Sequence, residues 1–326
     1  MPQNVTFFLK LLLVIILVVA ILIPVNMLYM RGETYSGAQA GMEKFEDVPC
    51  NIAFANFGPS YGMSCFNYKE WIADSKACFN FSLTMQDIYH DYSLYQTYAD
   101  HFAPGAVVAI TVSYFTFCSN NSAPSPMRYY KILDKQAIKG YSLENDISAN
   151  YLPVYGQGSS LARDLLNDLL NSIMYSSATG GAIENEKDPI AALDGDSAVR
   201  ITTITSGNLN IYGNYIEENK ELLINWIKEM QDAGLTPVLV QTPYWHAYAN
   251  GFDAELLEKS YSYPLECVVQ ETGVTLLDFN NDSNTDYIHN PEYFNNCDHV
   301  SNAGSVEFMR RYQSALEQFV LASTES

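Results

Sequence analysis

The stretch Asn51–Gly62, NIAFANFGPSYG, decides how this chain is read. Its first seven residues are a short β-prone apolar run, and Gly58-Pro59 then stops the strand and forces a turn that presents Ser60. Three more runs of this kind follow. They are Ala106–Tyr114 (AVVAITVSY) after Pro104-Gly105, Pro237–Gln241 closed by Thr242-Pro243, and Val274–Phe279 after Gly273. Near-continuous apolar strands suit a parallel sheet covered on both faces. Helical patterns lie between them. Ile88, Tyr92 and Tyr95 mark one; Leu161, Leu165, Leu166, Leu169, Leu170 and Ile173 mark another. Tyr215–Met230 and Phe252–Glu271 are two more, and the last runs from about Asn302 to Leu321 with Ser301 or Asn302 as its cap. Strand and helix in this alternation predict an α/β domain. Residues 119–210 interrupt the rhythm with no strand signal, and read as an insertion that caps or borders the site.

Ahead of the domain, Leu11–Met30 carries no charge and consists mostly of Leu, Val and Ile. At the helical rise it spans about 30 Å, the thickness of a bilayer core. Lys10 precedes it, while Glu33, Glu43, Glu46 and Asp47 follow, with Arg31 next to the segment a minor contrary charge. That asymmetry predicts an inside amino terminus and an outside body. A signal peptide cleaved near Ala38-Gln39-Ala40 is the rival reading, although its apolar region would normally be shorter. The expected organisation is therefore a membrane helix over 1–30, a linker over 31–48, and an extracytoplasmic domain over 49–326 on a single-pass membrane protein.

The whole chain has 326 residues, with 17 Lys or Arg against 37 Asp or Glu and a formal charge of −20. All but Lys10 of those charges lie after residue 30, so the acidity belongs to the domain. So few cations argue against nucleic acid as a partner, because binding phosphates needs a basic surface. The six cysteines also fall after the apolar segment, and an even count in an oxidising compartment permits up to three disulfides. No spacing of Cys or His suits zinc, so no metal is expected. No Gly-rich phosphate loop or dinucleotide fingerprint is present, so no cofactor is expected either.

Two motifs carry chemistry. Ser60 follows the first strand, at the sheet edge where parallel α/β folds bind ligands. Asn296-Cys297-Asp298-His299 lies in the loop before the last helix. A serine nucleophile needs a base, and His suits that task near neutrality. His299 alone of the five histidines has a neighbouring carboxylate in such a loop; His90, His101, His246 and His289 read as structural or solvated. The layout brings Ser60 and His299 to one sheet edge. Tyr61, Tyr114, Tyr244 and Trp245 follow strand ends and are the aromatic residues expected near a ligand.

These residues resemble the SGNH (GDSL-like) hydrolase and acyltransferase superfamily. The likeness is carried by Phe54–Gly62, Val112–Phe117, Val238–Tyr244 and Phe294–Gly304, in that order along residues 50–321. More closely, they resemble its membrane-anchored branch, which includes the teichoic acid D-alanyl transfer protein and the alginate-type O-acetylation proteins. The resemblance implies a three-layer α/β/α fold with a flavodoxin-like parallel sheet and a Ser–His–Asp catalytic set. It further implies transfer of acyl groups, D-alanyl or acetyl, on cell-envelope polysaccharide or teichoic acid, commonly beside a membrane-bound O-acyltransferase. Ser60 matches the nucleophile, though Pro59 stands where Asp or Ser is usual, and His299 matches the base. The acid three residues before that His should be Asp and is Asn296, which leaves Asp298 or Asn296 to orient the ring. Asn80, Gln86 and Ser113 fall where the oxyanion residues should be. The missing Asp also motivates a second reading, a degenerate scaffold that binds glycan or recruits a membrane-bound O-acyltransferase.

Overall fold

The computed structural model describes residues 3–70, 77–120, 122–155, 161, 163–168, 188–205 and 215–324. The chain divides into two compact units, one of Met1–Glu43 with Ala123–Glu184, the other of Lys44–Ser122 with Asn185–Ser326.

The second unit is built on five parallel strands: β1 (Ile52–Phe57), β2 (Ala77–Asn80), β3 (Phe102–Val112), β4 (Thr236–Gln241) and β5 (Thr275–Asp278), in the order β2-β1-β3-β4-β5. This is the flavodoxin-like order. Val108–Val112 and Val238–Val240 are buried along their whole length, which is why both strands read as near-continuous apolar runs, broken here only by Thr111. Helices Ile88–Thr97, Tyr215–Asp232 and Tyr263–Thr272 pack together as one layer, and Ser60–Cys65 packs with Asn302–Thr324 as the other. The expected α/β fold with a helix-flanked parallel sheet is thus present.

Local chemistry explains where these helices begin and end. Asp87 caps Ile88–Thr97 by accepting the His90 N–H at 2.9 Å, and Ser301 Oγ accepts the Gly304 N–H at 3.1 Å to cap the last helix. Tyr215–Asp232 ends where Gly234 takes a positive φ of 75°. The single helix expected over Phe252–Glu271 is instead broken. Ala254–Leu257 passes through a π-turn at Glu258–Ser262 into Tyr263–Thr272. Pro264 has no N–H to give a continuous helix, and it stands in the first turn of the last piece, where none is needed. β2 had no sequence signal because it is a four-residue edge strand.

On one face of the sheet Phe57 stacks on Phe81 at 4.6 Å and meets Trp226 edge-on at 5.4 Å. Trp226 also packs against Tyr92 and Tyr95, and is fully buried. Trp226→Ala should therefore leave a large cavity between helix and sheet and cost about 3–5 kcal/mol of stability. The check is the guanidinium unfolding midpoint of the detergent-solubilised chain, which should fall without a change in the folded far-UV circular dichroism. The unit begins earlier than the residue 49 expected, because Phe45 packs its ring on Phe79 at 5.6 Å and on Phe81 at 6.1 Å.

In the first unit, helix Gln3–Met30 is about 42 Å long at the helical rise. Its Val5–Met30 segment is long and apolar enough to span a membrane. Asn26 Oδ1 accepts the Val154 N–H at 3.0 Å, and the Lys131 ammonium donates to Gln39 Oε1 at 2.8 Å. In the expected insertion, Leu143–Asn150 and Pro189–Thr203 are helices. Leu169, Leu170 and Ile173, on which the expected 161–173 helix also rests, lie outside the described residues. All six cysteines are free thiols, with Cys65, Cys118 and Cys297 buried.

Candidate active site

In a sheet ordered 2-1-3-4-5 the connections leave β1 and β3 in opposite directions, so a crevice opens between their carboxyl ends. Ser60 follows β1 and Ser113 follows β3, and both line a cavity of about 380 Å³ there. The turn into Ser60 needs glycine. Gly58 has φ of 137°, and a Cβ on it would meet the Thr111 side chain. Two residues into the helix, a Cβ on Gly62 would meet the hydroxyls of Ser82 and Thr111, so only glycine lets the helix come this close to the sheet.

His299 reaches the same edge on a tight hairpin. Strands β6 (Phe294–Asn296) and β7 (His299–Val300) pair antiparallel, with Asn296 directly opposite His299. Cys297-Asp298 forms the turn. This explains why both candidate orienting groups meet one ring nitrogen: Asn296 Oδ1 lies 3.0 Å from Nδ1 and Asp298 Oδ1 lies 2.8 Å from it. Both are acceptors, so the neutral ring carries its proton on Nδ1 and leaves Nε2 free to accept. Nε2 is 2.7 Å from Ser60 Oγ. The Ser–His–carboxylate chain is complete in its contacts.

Asp298 is the most engaged group of the site. Its side chain is 2% exposed, Oδ1 also meets an Arg200 nitrogen at 3.3 Å, and Oδ2 receives a long 3.5 Å contact from the Tyr61 hydroxyl. Burial and the Asp298 charge push the Tyr61 hydroxyl well above its usual range, so it stays a neutral donor.

Arg200 escaped the reading of the sequence. It comes from helix Pro189–Thr203, inside the stretch taken for an insertion, and is the one Lys or Arg lining the cavity among the described residues. That helix is clamped to the histidine hairpin. Asp196 Oδ2 accepts the Cys297 N–H at 2.9 Å, and Asp194 Oδ1 accepts the Trp245 indole N–H at 2.7 Å. The backbone N–H of Trp245 donates to the Cys297 carbonyl at 2.9 Å. Burial alone would lower the Arg200 pKa, but the carboxylate of Asp298, then Cys297 and Asp196, raise it above its ordinary value. Burial would raise Asp196, but the Cys297 N–H and the Arg200 charge outweigh it and hold the carboxylate low. The available signal was Asp188-Pro189, a cap followed by a first-turn proline.

The expected oxyanion residues separate. Asn80 does not line the cavity. Its amide donates to the carbonyls of Gly62, Met63 and Phe66 at 3.3, 3.4 and 3.0 Å, which closes the carboxyl end of the Ser60 helix. Gln86 lines the cavity, but its amide donates to the Phe81 carbonyl at 3.1 Å and to Asp91 Oδ1 at 2.5 Å, leaving no donor for a ligand. Ser113 lines the cavity and its Oγ accepts the Phe115 N–H at 3.4 Å. Its hydroxyl proton has no acceptor among the described residues, so of the three it alone keeps a donor at the cavity.

Tyr61 lines the cavity, with its ring 5.3 Å from that of His299. Tyr114 and Tyr244 do not: both are buried behind it, Tyr244 packing on Tyr61 at 5.5 Å and on Tyr114 at 5.3 Å. They support Tyr61 instead of meeting a ligand, and buried Trp245 braces the hairpin. The other histidines are held elsewhere. His90 contacts Asp87, His101 contacts the Pro49 carbonyl, and His246 stacks on His289 at 3.9 Å.

No protein-family model matches the chain, and no curated protein matches it. Among solved structures, a "putative acylhydrolase" from Bacteroides fragilis is similar with a TM-score of 0.39 and 10% identity, over 87% of this chain and 98% of that one. Likeness at that level carries no argument, so function rests on the atoms of the site itself.

Proposed function

We propose that this protein is a membrane-anchored serine acyltransferase or esterase of the SGNH type. The carrying observation is the unbroken chain of contacts from Ser60 Oγ through His299 to Asp298, at 2.7 and 2.8 Å. A scaffold without catalysis has no need of that alignment, and the contact favours the enzymatic reading over the degenerate one.

The chemistry follows from the tautomer. Ser60 Oγ attacks the carbonyl carbon of an acyl ester while its proton passes to His299 Nε2. The resulting imidazolium keeps its Nδ1 proton on Asp298 and Asn296. As the tetrahedral intermediate collapses, the C–O bond to the departing alcohol breaks and Nε2 returns the proton to that oxygen. An acyl-Ser60 ester remains. A glycan hydroxyl or water then loses its proton to Nε2 and attacks the ester carbonyl; the C–O bond to Ser60 breaks and Nε2 returns the proton to Ser60 Oγ. Met85, Ile88, Ile110, Phe115 and Ile204 give the cavity apolar walls suited to an acyl group.

Helix Gln3–Met30 would tether the domain to the membrane, and the charge asymmetry around it supports an outward-facing site. By the SGNH resemblance, the acceptor would be an envelope glycopolymer and a membrane-bound O-acyltransferase the partner. A fluorophosphonate applied to the detergent-solubilised chain should label one serine, Ser60, as read by peptide mass spectrometry. An unlabelled chain, or equal labelling after Ser60→Ala, would overturn the enzymatic reading.

A further inference from the structure

We infer that the outer face of helix Leu143–Asn150, with Tyr151 and Tyr155 just after it, rests in the lipid surface beside the apolar helix. The inference rests on reading Val5–Met30 as the membrane-spanning segment. Leu143, Ile147 and Tyr151 recur every fourth position, so they share one face of that helix and its cap. They are 67%, 38% and 79% exposed, and Tyr155 is 53% exposed. The opposite face is occupied. Ser148 and Ala149 are buried there, and the Ser148 hydroxyl donates to the Pro153 carbonyl at 3.4 Å. Neither the Tyr151 nor the Tyr155 hydroxyl has a partner among the described residues.

What covers this face follows from its place beside the apolar helix, within the same unit. The Val154 N–H, next to Tyr155, donates to Asn26 Oδ1 at 3.0 Å. Asn26 is the one amide of the run Leu11–Met30, and the chain around Val154 satisfies it. It stands four residues, about 6 Å, inside the Met30 end of the apolar helix, and interfacial helices bury their apolar faces to a depth of this order. Val154 is thereby held at the lipid boundary, and its two neighbouring tyrosines with it. Rings of this kind gather at that depth, the apolar body toward lipid and the hydroxyl toward water. Glu144 and Asn150 border the stripe, as suits a helix lying in the interface plane and not in hydrocarbon. Residues 123–155 hold four Lys or Arg against three Asp or Glu, unlike the acidic chain as a whole, so anionic headgroups do not repel this face. The spanning helix alone would let the first unit swivel; a second lipid contact fixes its height and tilt.

The test places a photoreactive benzoylphenylalanine at Ile15, Ile147, Tyr151 or Tyr155, one position at a time, in the full-length chain. Each chain is set in nanodiscs of phosphatidylcholine and phosphatidylglycerol and illuminated, and mass spectrometry reads whether the cross-link joins lipid or protein. All four side chains are exposed, so the replacements leave the packing intact. Positions 147, 151 and 155 should give lipid adducts within a few-fold of the yield at position 15, in the middle of the apolar helix. Loss of the adduct at any of the three while position 15 reacts would overturn the inference. So would cross-links there between two copies of the chain, which would make the face a dimer contact. No lipid adduct at position 15 would defeat the membrane-spanning reading itself, and the inference with it.

Discussion

Ser60→Ala is expected to lower the kcat of ester cleavage about 10⁶-fold, His299→Ala to do the same, and the double variant to do no worse than either. The reason is that the two groups share one step. Ser60 Oγ has no other base within reach among the described residues, and His299 Nε2 has no other proton to take at the start of the reaction. Removing one therefore leaves the other idle. KM should change little, because the apolar cavity walls belong to other elements. The measurement is steady-state hydrolysis of an activated acyl ester by the full-length chain in detergent. Losses that multiply in the double variant would mean that Ser60 and His299 act independently, and that the 2.7 Å contact between them is incidental.

The central strands were legible for a simple reason. Val108–Val112 and Val238–Val240 are covered on both faces, so every position but Thr111 is apolar and the run stands out without any partner being known. Ser60 and His299 were legible because chain punctuation marks them, Gly58-Pro59 at a strand end and a capped helix just after Val300. Arg200 was not, because its place depends on contacts that skip far along the chain, Asp196 to Cys297 and Asp194 to Trp245. Nothing local in that helix says which loop it will clamp. Asn80 and Gln86 illustrate a different limit. An amide in the right region can stabilise an oxyanion or satisfy the backbone, and only its neighbours decide. For Asn80 three carbonyls of the Ser60 helix decide it; for Gln86 it is the Phe81 carbonyl and Asp91.

Asp298→Ala is expected to lower kcat about 10⁴-fold, and Asn296→Ala only about tenfold, because of the two acceptors on His299 Nδ1 only Asp298 carries charge. Distance separates them little, at 2.8 and 3.0 Å. Both hold the ring in the productive tautomer, so either alone would leave Nε2 free to accept. The difference appears when Ser60 gives up its proton and the ring becomes a cation. A buried carboxylate then stabilises it, whereas an amide oxygen offers only a dipole. Arg200 moderates this, since its 3.3 Å contact falls on the same Oδ1 that receives the Nδ1 proton and draws off part of its negative charge. Asp298→Asn should therefore resemble Asp298→Ala in kcat while leaving the fold intact, as read by circular dichroism. If Asn296→Ala instead proves the more damaging, the amide is the orienting group, and the carboxylate serves to hold Arg200 at the cavity.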